Sequence, residues 1–167
     1  MAEPPRPVGR PAALSCEVLQ QQEWWVQLLD AVRDAPEILA ASYQFDNPAL
    51  SSLLDRRLRD RSMLDVTILV DKEQVLGRTI HYQRSRLMSL KRSGASIILC
   101  SGDPPHGSFH VKAVIINRRI CFCGSANLTY AAATNAELCL RLTGPPVAAI
   151  LFQLMASKAR GKEWDGV

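Results

Sequence analysis

The chain has 167 residues, the length of one ordinary domain. Its 47% hydrophobic and 22% charged residues exclude a disordered chain, a collagen and a disulfide scaffold, and no apolar run reaches the roughly 18 residues of a bilayer span. Lys+Arg is 20 and Asp+Glu is 16, a net charge of +4 that permits an anionic partner without requiring one.

Residues 1–15 are rich in Pro and Arg and have the composition of a disordered tail, with one domain expected over 16–167. The prolines oppose a mitochondrial presequence, and there is no apolar stretch of the secretory type, so a cytoplasmic location is expected, with mitochondrial association as the alternative. From Cys16 the spacing of Val18, Leu19, Trp25, Leu28, Leu29 and Val32 predicts one helix, ended by Pro36. Of Trp24 and Trp25, one is expected in the core and one at the surface. Residues 38–45 read as a buried strand. Asp46 is the expected cap of a helix over about 48–60, with Leu50, Leu53, Leu54 and Leu58 inward.

Residues 65–71, DVTILVD, form a second strand candidate, β-branched and apolar. Residues 79–93 read as a basic helix closed by Gly94, and 96–101 as a third strand. A turn-rich loop leads to a hairpin of 109–117 and 120–124, then a strand over 136–144 and a helix opened by Pro145. This order predicts an α/β layered domain with a mixed sheet and helices on both faces.

Five cysteines, at 16, 100, 121, 123 and 139, are an odd number, four of them in apolar surroundings. That suits buried thiols in a reducing compartment. Cys121 and Cys123 with His106 and His110 raise a zinc site as an alternative. The C-x-C spacing falls outside the usual structural pattern, and the alternation with Ile120 and Phe122 suits a packed strand.

The chemically informative stretch runs His110–Val111–Lys112, Asn117, then Gly124–Ser125–Ala126–Asn127. Two residues apart on an extended strand, His110 and Lys112 leave the same face. An ammonium beside an imidazole suits an anion, with the imidazole as nucleophile or proton carrier. Gly124 would let backbone approach a ligand closely. Ser125 and Asn127 add neutral donors. Glu137 is the carboxylate nearest in sequence, and a carboxylate behind a histidine fixes its tautomer.

These residues resemble the phospholipase D superfamily, whose signature is H-x-K-x(4)-D-x(6)-G-S/G-x-N. The sequence HVKAVIIN-RRICFC-GSAN keeps its spacing, with Asn117 where the family has aspartate. YQFDNPALSSLL, TILVD, the basic helix, GSANLT and NAEL follow the order of the small bacterial single-motif nucleases of that superfamily, and the mitochondrial cardiolipin-hydrolase branch is similar too. The resemblance spans roughly 36–160. It implies that His110 forms a phosphohistidine, that Lys112 and Asn127 hold phosphate oxygens with Ser125 in support, and that Glu137 orients His110. Asn117 would be structural.

The superfamily uses two such motifs per site and this chain has one, which implies a two-fold homodimer. No metal or other cofactor is implied. The expected substrate is DNA or RNA, with a phospholipid such as cardiolipin as the alternative, and a catalytically weakened nucleic-acid-binding module as a third reading. Two arginine-bearing helices, one with Arg56, Arg57, Arg59 and Arg61 and one with Arg78, Arg84, Arg86, Lys91 and Arg92, are candidates for a phosphate-tracking groove.

Overall fold

A computed structural model of the protein describes residues 13–60, 64–77, 81–102 and 107–166. Eight strands form one mixed sheet in the order β1-β7-β6-β5-β2-β3-β4-β8. They are β1 (Ser15–Leu19), β2 (Glu37–Ser42), β3 (Asp65–Asp71), β4 (Ser96–Cys100), β5 (Ala113–Ile116), β6 (Ile120–Gly124), β7 (Cys139–Thr143) and β8 (Lys162–Glu163). β2, β3 and β4 are parallel neighbours, and all other pairs are antiparallel. Parallel strands covered on both faces need continuous apolar runs, which explains why β3 is buried from Val66 through Asp71.

Strict alternation divides each strand between two cores. Ile38 and Ala40, Val66, Ile68 and Val70, and Ile97 and Leu99 face one cluster; Leu39 and Ala41, Leu69, and Ile98 and Cys100 face the other. The first cluster is closed by α1 (Gln21–Asp34), α2 (Pro48–Arg59), the short α3 (Lys72–Leu76) and α4 (His81–Arg92). The second is closed by α5 (Pro145–Arg160) through Val147 and Leu154. The mixed sheet with helices on both faces is the fold the sequence predicts.

Several elements differ in detail. The single helix expected from Cys16 is a strand followed by a helix. β1 pairs with the otherwise open edge of β7, Gln20 is extended, and α1 starts at Gln21. Val18 therefore points outward, 73% exposed, because pairing at a sheet edge satisfies backbone that a helix would otherwise satisfy. Ser15 belongs to this strand, and residues 1–12 of the expected tail lie outside the described residues.

β2 stops at Ser42, short of the expected 45. Asn47, not Asp46, caps α2: its Oδ1 accepts from Leu50 N at 3.0 Å, while Asp46 Oδ1 accepts from Tyr130 N at 2.8 Å. α3 and β8 were not signalled by periodicity, being five and two residues long. Trp24 and Trp25 are both buried, their rings edge to face at 5.1 Å.

The expected groove of two arginine helices does not form as such. α2 runs away from the C-terminal end of the parallel strands, so its arginines sit at the opposite end of the sheet. Arg57 donates to Val32 O and Ala35 O there, both at 2.6 Å, and Arg59 pairs with Asp55 at 3.0 Å. Arg61 and Arg78 lie outside the described residues. Arg86 reaches Ser51 Oγ at 3.3 Å, and Arg84 stands one turn into α4, near the end of the sheet that carries the site.

Candidate active site

The register of the sheet brings the motif together. β5 pairs antiparallel with β2, Ala113 opposite Ala41, so the segment before β5 lies at the C-terminal end of β2. β6 ends beside the start of β7, Gly124 opposite Cys139, at the same end. The register thus places His110, Lys112, Ser125, Asn127 and Glu137 at one end of the interior strands β2, β5, β6 and β7. His110, Lys112 and Glu137 stand just outside the ladders, in the segments entering β5 and β7, rather than on the strands expected over 109–117 and 136–144.

His110 and Lys112 do share a face. Lys112 Nζ lies 2.9 Å from His110 Nδ1 and 3.0 Å from its carbonyl oxygen. A charged ammonium only donates, and its Nζ also lies 3.4 Å from His110 Nε2, so the tautomer sets which ring nitrogen accepts. The Tyr43 ring lies 4.7 Å from the His110 ring, and Lys112 Nζ lies 5.8 Å above it. Tyr43 is fixed in turn by Gln74 Nε2, which donates to its hydroxyl at 2.7 Å.

Asp71, buried at the end of β3, anchors the segment from below. Its Oδ2 accepts from Phe109 N at 2.8 Å and its Oδ1 from Gln74 N at 3.1 Å. Sequence reasoning missed Tyr43 and Asp71. The available signals were a tyrosine just past a buried strand and an aspartate closing another.

The second half of the motif is tied to the β2–α2 connection. Ser42 Oγ accepts from Leu128 N at 2.9 Å, and Leu128 O accepts from Asp46 N and Asn47 N, both at 3.0 Å. Asn127 turns its Oδ1 inward, where it is buried without a partner. Its amide nitrogen forms no hydrogen bond among the described residues.

Two residues work differently from expectation. Gly124 has φ +148°, and a Cβ there would overlap Leu138 O. What it lets close in is the backbone entering β7, not a ligand. Ser125 donates its one hydroxyl hydrogen to Glu137 Oε2 and accepts from Leu138 N at 2.9 Å. With its donor committed, Ser125 positions Glu137 rather than offering a proton to phosphate. Glu137 forms no hydrogen bond to His110 among the described residues.

Asn117 lies at the other end of β5. With Arg118 it makes the hairpin turn, at φ 52° and 57°, a conformation Asn adopts more readily than most residues. Its Oδ1 accepts from Glu37 N at 3.2 Å, and its N–H donates to Glu37 O at 3.0 Å. Amide and carboxylate oxygens serve this contact alike, so Asn in place of the family's Asp leaves the hairpin turn, at the far end of β5 from His110, in place.

Burial lowers the pKa of Lys112 from its ordinary value, and the Glu137 carboxylate opposes that shift. The cation is therefore lost, as pH rises, earlier than in an exposed lysine. Glu137→Gln removes the opposing charge, so the alkaline limb of kcat/KM moves to lower pH in this variant. A pH profile of both proteins checks this; a limb that stays in place contradicts it.

Cys121 and Cys123 face α5, away from this site. The hydrogen bond between the two thiols, with burial, raises the pKa of Cys121, and the same bond lowers that of Cys123. His106 of the alternative zinc set lies outside the described residues. Among the described residues, no group of three or more His, Cys, Asp or Glu is placed to hold a metal.

The family model described as "cardiolipin synthase, PLD-like domain" matches residues 28–158. The chain belongs to this family, and with it to the phospholipase D superfamily of phosphodiesterases. In structure it is similar to Nuc, a phospholipase D family member from Salmonella typhimurium, with TM-score 0.74, 21% identity and coverage of 91% of this chain and 97% of Nuc. It is similar also to NucT from Helicobacter pylori, with TM-score 0.77, 19% identity and coverage of 91% and 99%. Phosphatidylserine synthase from Haemophilus influenzae Rd KW20 matches with TM-score 0.70 and 16% identity, over 94% of this chain but 41% of the synthase. No curated protein sequence matches the chain.

Proposed function

We propose that the protein is an endonuclease that hydrolyses phosphodiester bonds of DNA or RNA through a phosphohistidine, at a site completed by a second copy of the chain. The observation that carries this reading is the open cluster of His110, Lys112 and Asn127. It unites a nucleophile, a cation and an amide donor at one end of the central strands. Lys112 and the Asn127 amide hold two non-bridging oxygens and take up the charge that grows on them. A His110 ring nitrogen attacks phosphorus, forming an N–P bond as the P–O bond to the leaving group breaks. The leaving oxygen takes a proton from His110 of the partner subunit. Water then attacks phosphorus, giving a proton back to that second histidine, and the N–P bond breaks to release the product.

One chain supplies only one such histidine. Three large apolar side chains rim the site in solvent: Val111, Tyr130 and Leu138, at 39%, 67% and 56% exposure. A two-fold contact across this rim would cover them and bring two copies of the motif together. Support for nucleic acid over lipid comes from the single-motif nuclease layout of the sequence and from the near end-to-end correspondence with Nuc and NucT. The cardiolipin synthase description of the family supports the lipid alternative. The position of Asn117 removes the main argument for a weakened binding module.

Wild-type protein in excess EDTA is expected to cut single-stranded DNA or RNA and to leave cardiolipin vesicles intact. Because two histidines and a lysine carry the chemistry, chelation should not stop it. Phosphatidic acid release with intact oligonucleotides would establish the lipid reading instead. Strict dependence on magnesium or zinc would overturn the mechanism.

A further inference from the structure

A second concavity, about 600 Å³, opens between α3, β4 and the end of α5. Its chemistry is mixed: the exposed Leu76 and the buried Leu99 and Trp164 line it on the apolar side, and Lys72, Arg160 and Lys162 stand around it. Gly161 allows this shape. A Cβ at that position would overlap Ile98 on β4, so only glycine lets the end of α5 turn down against the strand and continue into β8.

The three cations are exposed and form no ion pair among the described residues. The acids nearby are otherwise engaged: Glu163 pairs with Lys91 at 3.6 Å, and Asp165 has a partner of its own. Lys72, Arg160 and Lys162 outnumber the two carboxylates in the lining, Glu163 and Asp165, so the concavity is net positive beside an apolar wall and suits a ligand with phosphates and flat rings.

The concavity is also connected to the catalytic segment. Lys72 directly follows Asp71, which holds Phe109 beneath His110. Gly102, on the rim, donates its N–H to Gly107 O at 2.8 Å, three residues before His110. In the sheet order, β4 lies three strands from β5. At about 4.8 Å per strand, that is about 14 Å, the length of about four stacked nucleotides.

We propose that this concavity is an accessory subsite for single-stranded nucleic acid, taking the phosphates and bases that flank the scissile bond. The proposal deepens the endonuclease reading and rests on it. Lys72, Arg160 and Lys162 neutralise backbone phosphates, and the exposed Leu76 side chain receives a base.

The test uses a fluorescent single strand of roughly twelve nucleotides, within the usual range of such sites, and His110→Ala protein, which binds without turnover. Adding Lys72→Ala, Arg160→Ala and Lys162→Ala should weaken binding at least about tenfold and reduce the salt dependence of log Kd by about two to three. In the active protein the same three changes should raise KM for the oligonucleotide and leave hydrolysis of bis(p-nitrophenyl) phosphate unchanged, which also reports an intact fold. Unchanged oligonucleotide binding overturns the proposal, as does an equal loss on the small diester. So does unchanged oligonucleotide binding accompanied by lost sedimentation with cardiolipin–phosphatidylcholine vesicles. If binding needs the three cations but wild-type protein cuts the small diester and no oligonucleotide, the subsite stands and the endonuclease reading falls.

Discussion

Replacing His110 with alanine is expected to lower kcat by at least about 10⁴-fold, the scale seen when a covalent nucleophile is removed and only binding and charge stabilisation remain. The melting temperature should hardly move. His110 is exposed and contacts Lys112 and the Tyr43 ring among the described residues, so its loss opens no core cavity. Dimers assembled from equal amounts of variant and wild-type chains add a sharper readout. If each site needs both histidines, random assortment leaves about a quarter of the dimers active, whereas independent sites would keep about half the activity. A variant retaining most of its rate would remove His110 from the reaction.

Trp24→Ala should have the largest effect on stability, about 3–5 kcal/mol, the usual cost of emptying a buried tryptophan site. Trp24 is 2% exposed and packs edge to face against Trp25 and Phe122 at 5.1 and 5.9 Å. It also donates to Leu140 O at 3.1 Å. Those contacts join α1 to β6 and β7, the strands that carry Gly124 and lead out of Glu137, so activity should decline at temperatures where the wild type is still folded. Urea unfolding measures the difference. A loss below about 1 kcal/mol would mean that the site collapses around the gap, and that this packing does not hold the α1 layer in place.

The interior of the sheet could be read from the sequence because its residues obey one rule: DVTILVD and SIILC are too apolar to face water on either side. The motif could be read because its spacing survives intact from His110 to Asn127. The edges were harder. Val18 and Leu19 fit a helical stripe, and only the presence of an unpaired β7 edge, a tertiary fact, makes them a strand. Asp46 and Asn47 are both good caps, and the choice was made by Tyr130, whose N–H takes the aspartate from 84 residues away. The contacts of Gly124 and Ser125 escape the sequence for a similar reason. Both answer to Leu138 and Glu137 on the neighbouring segment, contacts with no trace in local sequence. Asp71 and Tyr43 carry no motif and became visible only once β3, β2 and the His110 segment stood side by side.

The most direct test of phosphodiester chemistry through His110 is to trap the intermediate. Wild-type protein is mixed in EDTA with an oligonucleotide labelled so that the phosphoryl fragment can be followed, quenched under alkaline conditions within one turnover, and digested for mass spectrometry. The expected result is a phosphoryl adduct on the peptide containing His110, absent from His110→Ala and lost as product accumulates. Turnover with no adduct, or an adduct on any other residue, would contradict the account.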